Sequence, residues 1–256
     1  MRRRLILRPG AIGDTVVSLP ALESLCADYT EIWAPSQNLP LLRHLGRCRS
    51  LVATGIDSLV IPDPTLRRLA EFDDIVSWYG AGREDFRRQV SALPFRFFPA
   101  LPGAEKETHA VDFYLRQVGA SDGAVPRLPV QRRDDGYAVI HPFSGSASKN
   151  WPLPRFRAVA KHLPAPVLWC AGPEEALDGA VRFADLGALM QWLAGARVFL
   201  GNDSGITHLA AACGVPVVAV FGPTDPLVWA PRGNVVRIAQ WDWPPERVAA
   251  EVLSCC

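Results

Sequence analysis

The chain has 256 residues, of which 49% are apolar, so it can bury the core of one large domain or of two small ones. Its formal net charge is +1, which argues against nucleic acid as the main partner, because phosphate backbones select strongly basic faces. Residues 1–133 hold 18 Lys/Arg against 15 Asp/Glu, and residues 134–256 hold 9 against 11, so a weakly basic half precedes a weakly acidic one.

The first half alternates short apolar runs with amphipathic segments. The apolar runs predict strands at Leu5–Arg8, Glu31–Ala34, Leu51–Ala53, Ser58–Ile61 and Ile75–Trp78. Helices are predicted near residues 14–27, 36–46, 64–71, 83–92 and 108–118. This alternation implies a parallel sheet covered by helices.

The same pattern restarts after a Gly-, Pro- and Asp-rich break at Gly119–Asp135. Strands are predicted at Tyr137–His141, Val167–Cys170, Arg197–Leu200, Val215–Phe221 and Val235–Ile238. Helices are predicted at Leu153–Leu163, Leu186–Ala194, Ile206–Cys213 and Pro245–Leu253. We therefore expect two α/β domains, residues 1–130 and 131–256, with the loops at the carboxyl ends of their strands lining one cleft.

The most informative loop is Gly201–Gly205, which follows an apolar strand and precedes an alanine-rich helix. Glycines let the backbone approach a ligand closely, and the free N–H groups of the first helical turn point at it with the positive end of the helix dipole behind them. The loop therefore predicts a site for a phosphate or diphosphate. A helix cap made by Asp203 or Ser204 is the alternative.

The loop at residues 141–152 also follows an apolar strand, and it carries three serines, a glycine and Lys149. Their hydroxyl and backbone donors and the ammonium group suit the oxyanions of a leaving diphosphate. The glycine spacing excludes a Walker-type loop. A flexible surface loop with a solvated lysine is the alternative.

Two further loops carry carboxylates at strand ends. In Ala171–Glu175 a carboxylate is suited to accept hydrogen bonds from ribose hydroxyls, and a helix-start pair favoured by the dipole is the alternative. In Gly10–Asp14 the spacing Gly-x-x-Gly differs from the dinucleotide fingerprint, which disfavours nicotinamide binding. Asp14 at a helix start suits a general base acting on a hydroxyl, and a helix cap is the alternative.

Other candidates carry less information. His109 begins an amphipathic helix and is either a cleft residue or a capping residue. His208 is expected to pack between loop and helix rather than to act as a base. Trp229, Trp241 and Trp243 are either stacking partners for a base or sugar, or core residues.

Taken together, three segments resemble glycosyltransferase family 9, the heptosyltransferases. Residues 10–22 resemble the family's N-terminal motif, and residues 141–152 resemble its central Ser/Gly loop with the ending Lys-x-Trp-Pro. Residues 201–226, GNDSGITHLAAACGVPVVAVFGPTDP, resemble its C-terminal motif. Three motifs in the family's order are more specific than any one of them alone.

The resemblance implies a GT-B fold, in which two Rossmann-like parallel-sheet domains face each other across a cleft. It also implies inverting, metal-independent transfer of a sugar from a nucleotide-diphosphate donor, typically ADP-heptose, to the lipopolysaccharide core or another glycan or glycolipid acceptor. By position, Asp14 becomes the base, and Gly13 and His109 lie on the acceptor side. The implied donor side comprises Ser144, Ser146, Lys149, Glu175, Asp203, Ser204, Gly205, Thr207 and His208. Of these, Lys149 and the two serines stabilise the diphosphate, Asp203 contacts the donor sugar or orders its loop, and Glu175 meets the ribose.

No metal or other cofactor is expected. The chain lacks an Asp-x-Asp motif, so helix starts and Lys149 must carry the charge that a metal would otherwise neutralise. Six scattered cysteines form no Cys-x-x-Cys pair, and no apolar run reaches the roughly 18–20 residues that a membrane span needs. We expect a cytoplasmic monomer with a peripheral contact to the inner membrane.

The sequence also departs from the family. The chain is shorter than is usual, and between Glu175 and Gly201 there is room for one helix and little more, so a reduced pocket for the nucleotide base is expected. This shortening motivates an alternative, a non-catalytic module that binds a sugar nucleotide. A sugar-nucleotide 2-epimerase is a further alternative, which the N-terminal motif and the Lys-x-Trp-Pro loop disfavour.

Overall fold

A computed structural model of the chain describes residues 1–102, 108–164 and 166–255. Two five-stranded sheets follow one another along the chain, and every strand pairing in them is parallel. The first has the order β3-β2-β1-β4-β5, with β1 (Arg3–Leu7), β2 (Tyr29–Ala34), β3 (Arg47–Ser50), β4 (Asp74–Ser77) and β5 (Phe95–Phe97). The second has the order β10-β9-β8-β6-β7, with β6 (Ala138–His141), β7 (Val167–Trp169), β8 (Val198–Asn202), β9 (Val217–Phe221) and β10 (Val236–Gln240).

Helices connect the strands of both sheets. The first half contains α1 (Ile12–Ser24), α2 (Asp63–Leu69), α3 (Glu84–Gln89) and α4 (Ala110–Gln117). The second half contains α5 (Leu153–Ala160), α6 (Leu186–Leu193), α7 (Gly205–Ala212), α8 (Pro226–Trp229) and α9 (Pro245–Leu253). The expected fold class, two Rossmann-like parallel-sheet halves, is therefore confirmed, and the border predicted at residue 130 lies in the segment between α4 and β6.

Several predicted elements are wrong in the first half. Leu51–Ala53 and Ser58–Ile61 form no strand: Val52–Thr54 is a short 3-10 turn, and Gly55 reverses the chain with a φ of +69°. The third strand instead comes earlier, as β3. Its sequence Arg-Cys-Arg-Ser has no apolar run, because an edge strand needs backbone pairing on one side only and keeps its charged side chains in water. The helix expected at 36–46 is a 3-10 helix, Ser36–Leu41, that includes Pro40, which has no N–H to give.

The halves share one continuous apolar core. Helix α1 packs on α4 of its own half and on α7 of the other half. Its buried Val17 and Leu19 belong to the same cluster as Leu209 and Ala210 of α7. The start of α1 is therefore held against the start of α7 by burial of apolar surface. Among the described residues, no helix combines the length and apolarity that crossing a membrane requires.

Candidate active site between the two helix starts

A cavity of about 560 Å³ opens where the carboxyl ends of β1, β6, β7 and β8 meet. Ten of the residues predicted from the sequence line it: Gly13, Asp14, Ser144, Ser146, Lys149, Glu175, Asp203, Ser204, Gly205 and His208. Residues from both halves thus surround one space. The sequence did not single out several other lining residues, namely Gln37, His141, Phe183, Leu186, Leu189 and Ile206.

The first turns of α1 and α7 meet at two glycines. A Cβ added to Gly205 would lie 2.8 Å from the Gly13 backbone nitrogen, and one added to Gly13 would lie 3.3 Å from the Gly205 Cα. Ser204 caps α7 by accepting a hydrogen bond from the Thr207 N–H at 3.3 Å. The helix cap that the sequence offered as an alternative for this loop is therefore present. The positive ends of two helix dipoles therefore border one cavity, and both would attract an anion bound there.

We expect Gly205→Ala to lower the free energy of unfolding by about 1–3 kcal/mol, because the new methyl group overpacks the contact between the helix starts. Urea unfolding measures the change. Gly82→Ala is the matched control, since a Cβ there meets no atom of the described residues within 4 Å. Equal stability of the two variants would contradict the close approach of the helix starts.

Asp14 lies in the first turn of α1, where its Oδ2 accepts a hydrogen bond from the Ala11 N–H at 2.8 Å. Arg8, which the apolar pattern predicts only as the end of a strand, supports this segment from the buried side. Its fully buried guanidinium donates to the Asp14 backbone oxygen at 2.5 Å and to Ser18 Oγ at 2.8 Å, and lies over the Tyr114 ring. A charged residue at the end of an apolar strand, directly before a glycine loop, is the signal that could have found it.

Lys149 reaches from the loop after β6 to the loop after β8. Its Nζ donates to Asp203 Oδ2 at 2.7 Å, and the Thr224 hydroxyl donates to the same oxygen at 2.6 Å. Asp203 is only 5% exposed, so its charge is held by these two donors rather than by water. The lysine charge is thereby fixed at the cavity wall, and Thr224 is a further residue that sequence reasoning missed.

The serine-containing loop after β6 is stabilised by hydrogen bonds between its own residues. The Ser144 hydroxyl lies 2.7 Å from the Ser146 backbone oxygen and 2.8 Å from Asn150 Oδ1. Ser146 Oγ lies 2.8 Å from Ser148 Oγ and is exposed. Both predicted serines therefore line the cavity as part of a hydrogen-bonded turn.

Glu175 lines the same cavity as the serines. Its Oε2 accepts from the Gly172 N–H at 2.6 Å and from His141 Nε2 at 3.2 Å. Burial raises the pKa of Glu175, but these hydrogen bonds outweigh burial and the pKa lies below its ordinary value. The side chain is therefore an ionised acceptor at neutral pH.

The cavity also has an apolar wall. The segment after β7 contributes Cys170 and Phe183, α6 contributes Leu186 and Leu189, and Trp229 lies at the end of α8. The short segment between Glu175 and Gly201 thus supplies part of this wall. The other two tryptophans pack elsewhere: Trp241 and Trp243 contact the core on the far side of the second sheet.

His208 is 6% exposed and lies at the meeting point of the two halves. Burial lowers its pKa to about 4; Asp203 opposes this shift, and His109 and Lys149 add to it. The imidazole is therefore neutral at pH 7, in agreement with a packing residue that can also donate or accept a hydrogen bond.

This burial predicts a pH dependence of stability. Between the ordinary pKa of 6.5 and the folded value of about 4, the unfolded chain binds a proton that the folded chain does not, so stability falls as pH falls through that window. In the wild type the free energy of unfolding should therefore decrease between pH 7 and pH 4.5. We expect this decrease to be smaller in His208→Asn by an amount on the order of 1–3 kcal/mol. Urea unfolding at pH 7 and pH 4.5 tests it. His109, whose pKa burial also lowers, is present in both proteins, so only the difference between them reports His208. Identical pH slopes would contradict the assignment.

Two predicted site residues are used elsewhere, and neither is among the residues lining the cavity. His109 caps α4 by accepting from the Val111 N–H, and its Nε2 lies 2.8 Å from the Ala230 backbone oxygen of the other half. It therefore ties the halves together, as in the capping alternative. The hydroxyl of Thr207 is fully buried and donates to the Asn202 backbone oxygen at 2.5 Å, which fixes the loop rather than reaching a phosphate. These contacts do not support the roles that the resemblance implies for the two residues.

No cluster of three or more His, Cys, Asp or Glu side chains suited to a metal ion occurs in the described part of the chain.

The sequence of this chain is similar to those of known proteins. The family model described as glycosyltransferase family 9 (heptosyltransferase) matches residues 105–251, more than half of the chain. The match includes the loops that carry Lys149 and Asp203, whereas Asp14 precedes it. Lipopolysaccharide heptosyltransferase 3 of Escherichia coli is 33% identical over 120 residues, which cover 38% of this chain and 34% of that protein. The chain thus spans about a third of the length of the curated relatives it matches.

Solved structures are similar over nearly the whole chain. The E. coli ADP-heptose LPS heptosyltransferase II has a TM-score of 0.77 at 17% identity, with 99% of this chain and 98% of that chain covered. The E. coli heptosyltransferase WaaC with ADP has a TM-score of 0.72 at 16% identity, with 99% and 100% covered. At these identities the similarity concerns the fold, and the expected GT-B fold is confirmed.

Proposed function

Because the chain belongs to glycosyltransferase family 9, we propose that it transfers a heptose-like sugar from ADP-heptose to a lipopolysaccharide-core or other glycan acceptor. The observation that carries the proposal is the meeting of the α1 and α7 starts and Lys149 around one cavity, with Asp14 at its edge. The donor is inferred from a structural neighbour, since heptosyltransferase WaaC is described with ADP.

In the proposed reaction, the Asp14 carboxylate takes the proton from an acceptor hydroxyl. The acceptor oxygen then forms a bond to the anomeric carbon while the bond from that carbon to the diphosphate oxygen breaks. The diphosphate leaves with the electron pair, on the face opposite the attack, so the configuration inverts. A single displacement of this kind needs no covalent enzyme intermediate.

Fixed groups of the protein stabilise the negative charge that the diphosphate gains as it leaves. The first-turn N–H groups of α1 and α7 and the Lys149 ammonium are already in place before the reaction, so no reorganisation is needed when charge develops. The apolar wall of Phe183, Leu186 and Leu189 offers the nucleotide base a surface, with Glu175 near its ribose.

A thermal-shift screen with ADP, GDP, UDP and their sugar derivatives tests the donor. A ligand that binds only the folded state stabilises it by about 2.7 kcal/mol at one hundred times its Kd. We expect ADP and ADP-heptose to raise Tm and the other nucleotides to raise it less. A larger shift with GDP or UDP would reassign the donor.

We also propose that the transfer needs no metal, because the helix starts and Lys149 supply the positive charge. We expect ADP affinity and transfer rate to be unchanged after dialysis against EDTA. Loss of either, restored by adding back one divalent ion, would contradict the proposal.

A further inference from the structure

His141 has no role in the reaction as proposed above, although it lines the cavity. It is the last residue of β6, the strand that lies between β7 and β8, and its backbone pairs in register with Gly201. Only 4% of its side chain is exposed, and its ring packs edge-on near Phe143, with centroids 6.1 Å apart. The imidazole is therefore held in one orientation.

The contact of interest is with Glu175. One carboxylate oxygen, Oε2, receives hydrogen bonds from both His141 Nε2 at 3.2 Å and the Gly172 N–H at 2.6 Å. Neither donor bonds the second oxygen, Oε1, and the side chain lines the cavity. Two fixed donors on one oxygen set the plane of the carboxylate, which leaves the other oxygen for a ligand hydroxyl.

The hydrogen bond also fixes the tautomer. An ionised carboxylate only accepts, so Nε2 must carry the proton. Nδ1 is buried and has no hydrogen-bond partner among the residues that the structure describes. A proton there would be a buried donor without an acceptor, which costs more than an unpaired lone pair on the same atom. His141 is thus a dedicated donor to Glu175.

We propose that His141 is a positioning residue that orients Glu175 toward a ribose hydroxyl and thereby makes the site select ribonucleotide over deoxyribonucleotide donors. The inference rests on the proposed function insofar as the ligand is a nucleotide. Without His141, Glu175 keeps one fixed donor and its carboxylate is free to rotate about the bond to Gly172. The ribose hydroxyl would then face a mobile acceptor. A ligand without that hydroxyl would therefore lose less affinity.

The test combines ligand and protein changes. Isothermal titration measures ADP, 2′-deoxy-ADP and 3′-deoxy-ADP with the wild type, His141→Phe and His141→Gln. A hydrogen bond to a charged group corresponds to about tenfold or more in affinity, so the wild type should lose about that factor with one of the deoxy ligands. In His141→Phe the penalty should shrink to about twofold, whereas His141→Gln, whose amide can still donate, should retain most of it.

His162→Phe is the matched control, because His162 is exposed at the end of the α5 segment. It should leave every affinity unchanged. In the transfer assay, His141→Phe should raise the donor KM with little change in kcat, since the residue touches no reacting atom.

The outcomes separate this inference from the function it builds on. If ADP binds and His141→Phe keeps the full deoxy penalty, or if the wild type shows no penalty with either deoxy ligand, the role of His141 is overturned and the proposed function stands. If His141→Gln behaves like His141→Phe although both fold, the donor role is overturned as well. If ADP does not bind the wild type at all, the proposed function fails first.

Discussion

Asp14→Asn is expected to lower kcat by a factor on the order of 10²–10⁴ while leaving the Kd for ADP nearly unchanged. An amide cannot take the acceptor proton, but its oxygen can still accept the Ala11 N–H that now bonds Oδ2, so the first turn of α1 keeps its shape. The expected effect is therefore on the chemical step rather than on the fold. Steady-state kinetics and titration calorimetry on the same preparation separate the two.

Asp63→Asn is the control for Asp14→Asn. Asp63 is also an acid in the first turn of a helix, α2, and it is exposed. Both variants lose the same charge beside a helix dipole, but only one lines the cavity. Equal kcat values in the two variants would remove Asp14 from the mechanism.

Lys149→Ala is expected to weaken ADP binding by about 10–100-fold, because hydrogen bonds to charged groups contribute about 1.5–3 kcal/mol each. The same change should lower kcat, since the diphosphate gains charge as it leaves. It also removes the 2.7 Å partner of Asp203, whose buried carboxylate then keeps the Thr224 hydroxyl as its one side-chain donor among the described residues. Calorimetry with ADP and urea unfolding measure the two effects.

A second substitution separates binding from stability. In Lys149→Ala/Asp203→Asn the buried charge is gone, so the stability lost in the single variant should return while ADP affinity stays low. Lys161→Ala, at an exposed lysine after α5, controls for the loss of a positive charge. Full ADP affinity in Lys149→Ala would show that the lysine does not contact the diphosphate.

Much of the fold was predictable, because apolar runs bounded by turn residues follow from burial on both faces of a parallel sheet. Strands β6 and β9 are examples, since their residues are wholly buried. Strand β3 was not predictable in this way, because an edge strand with exposed arginines has no apolar period to detect. Strand β5 is three residues long, too short for a period.

In the candidate site, too, some features could be predicted from the sequence and others could not. Asp14, Lys149 and Asp203 follow strands, so the parallel topology alone brings them to one edge. Contacts between residues far apart in the chain leave no local signal. The Gly13–Gly205 approach, the support of Asp14 by Arg8 and the hydrogen bond of His141 to Glu175 all belong to this second kind. His109 was misplaced for the same reason, since its partner Ala230 lies in the other half.

The most direct test of the proposed function is a transfer assay with purified protein, ADP-heptose and a panel of inner-core oligosaccharide acceptors, followed by release of ADP and by NMR of the product. The proposed function predicts ADP release that depends on an acceptor, a product whose new linkage has the anomeric configuration opposite to that of the donor, and loss of both in Asp14→Asn. Tight ADP-heptose binding without turnover on any acceptor would contradict it and would identify a sugar-nucleotide-binding module instead.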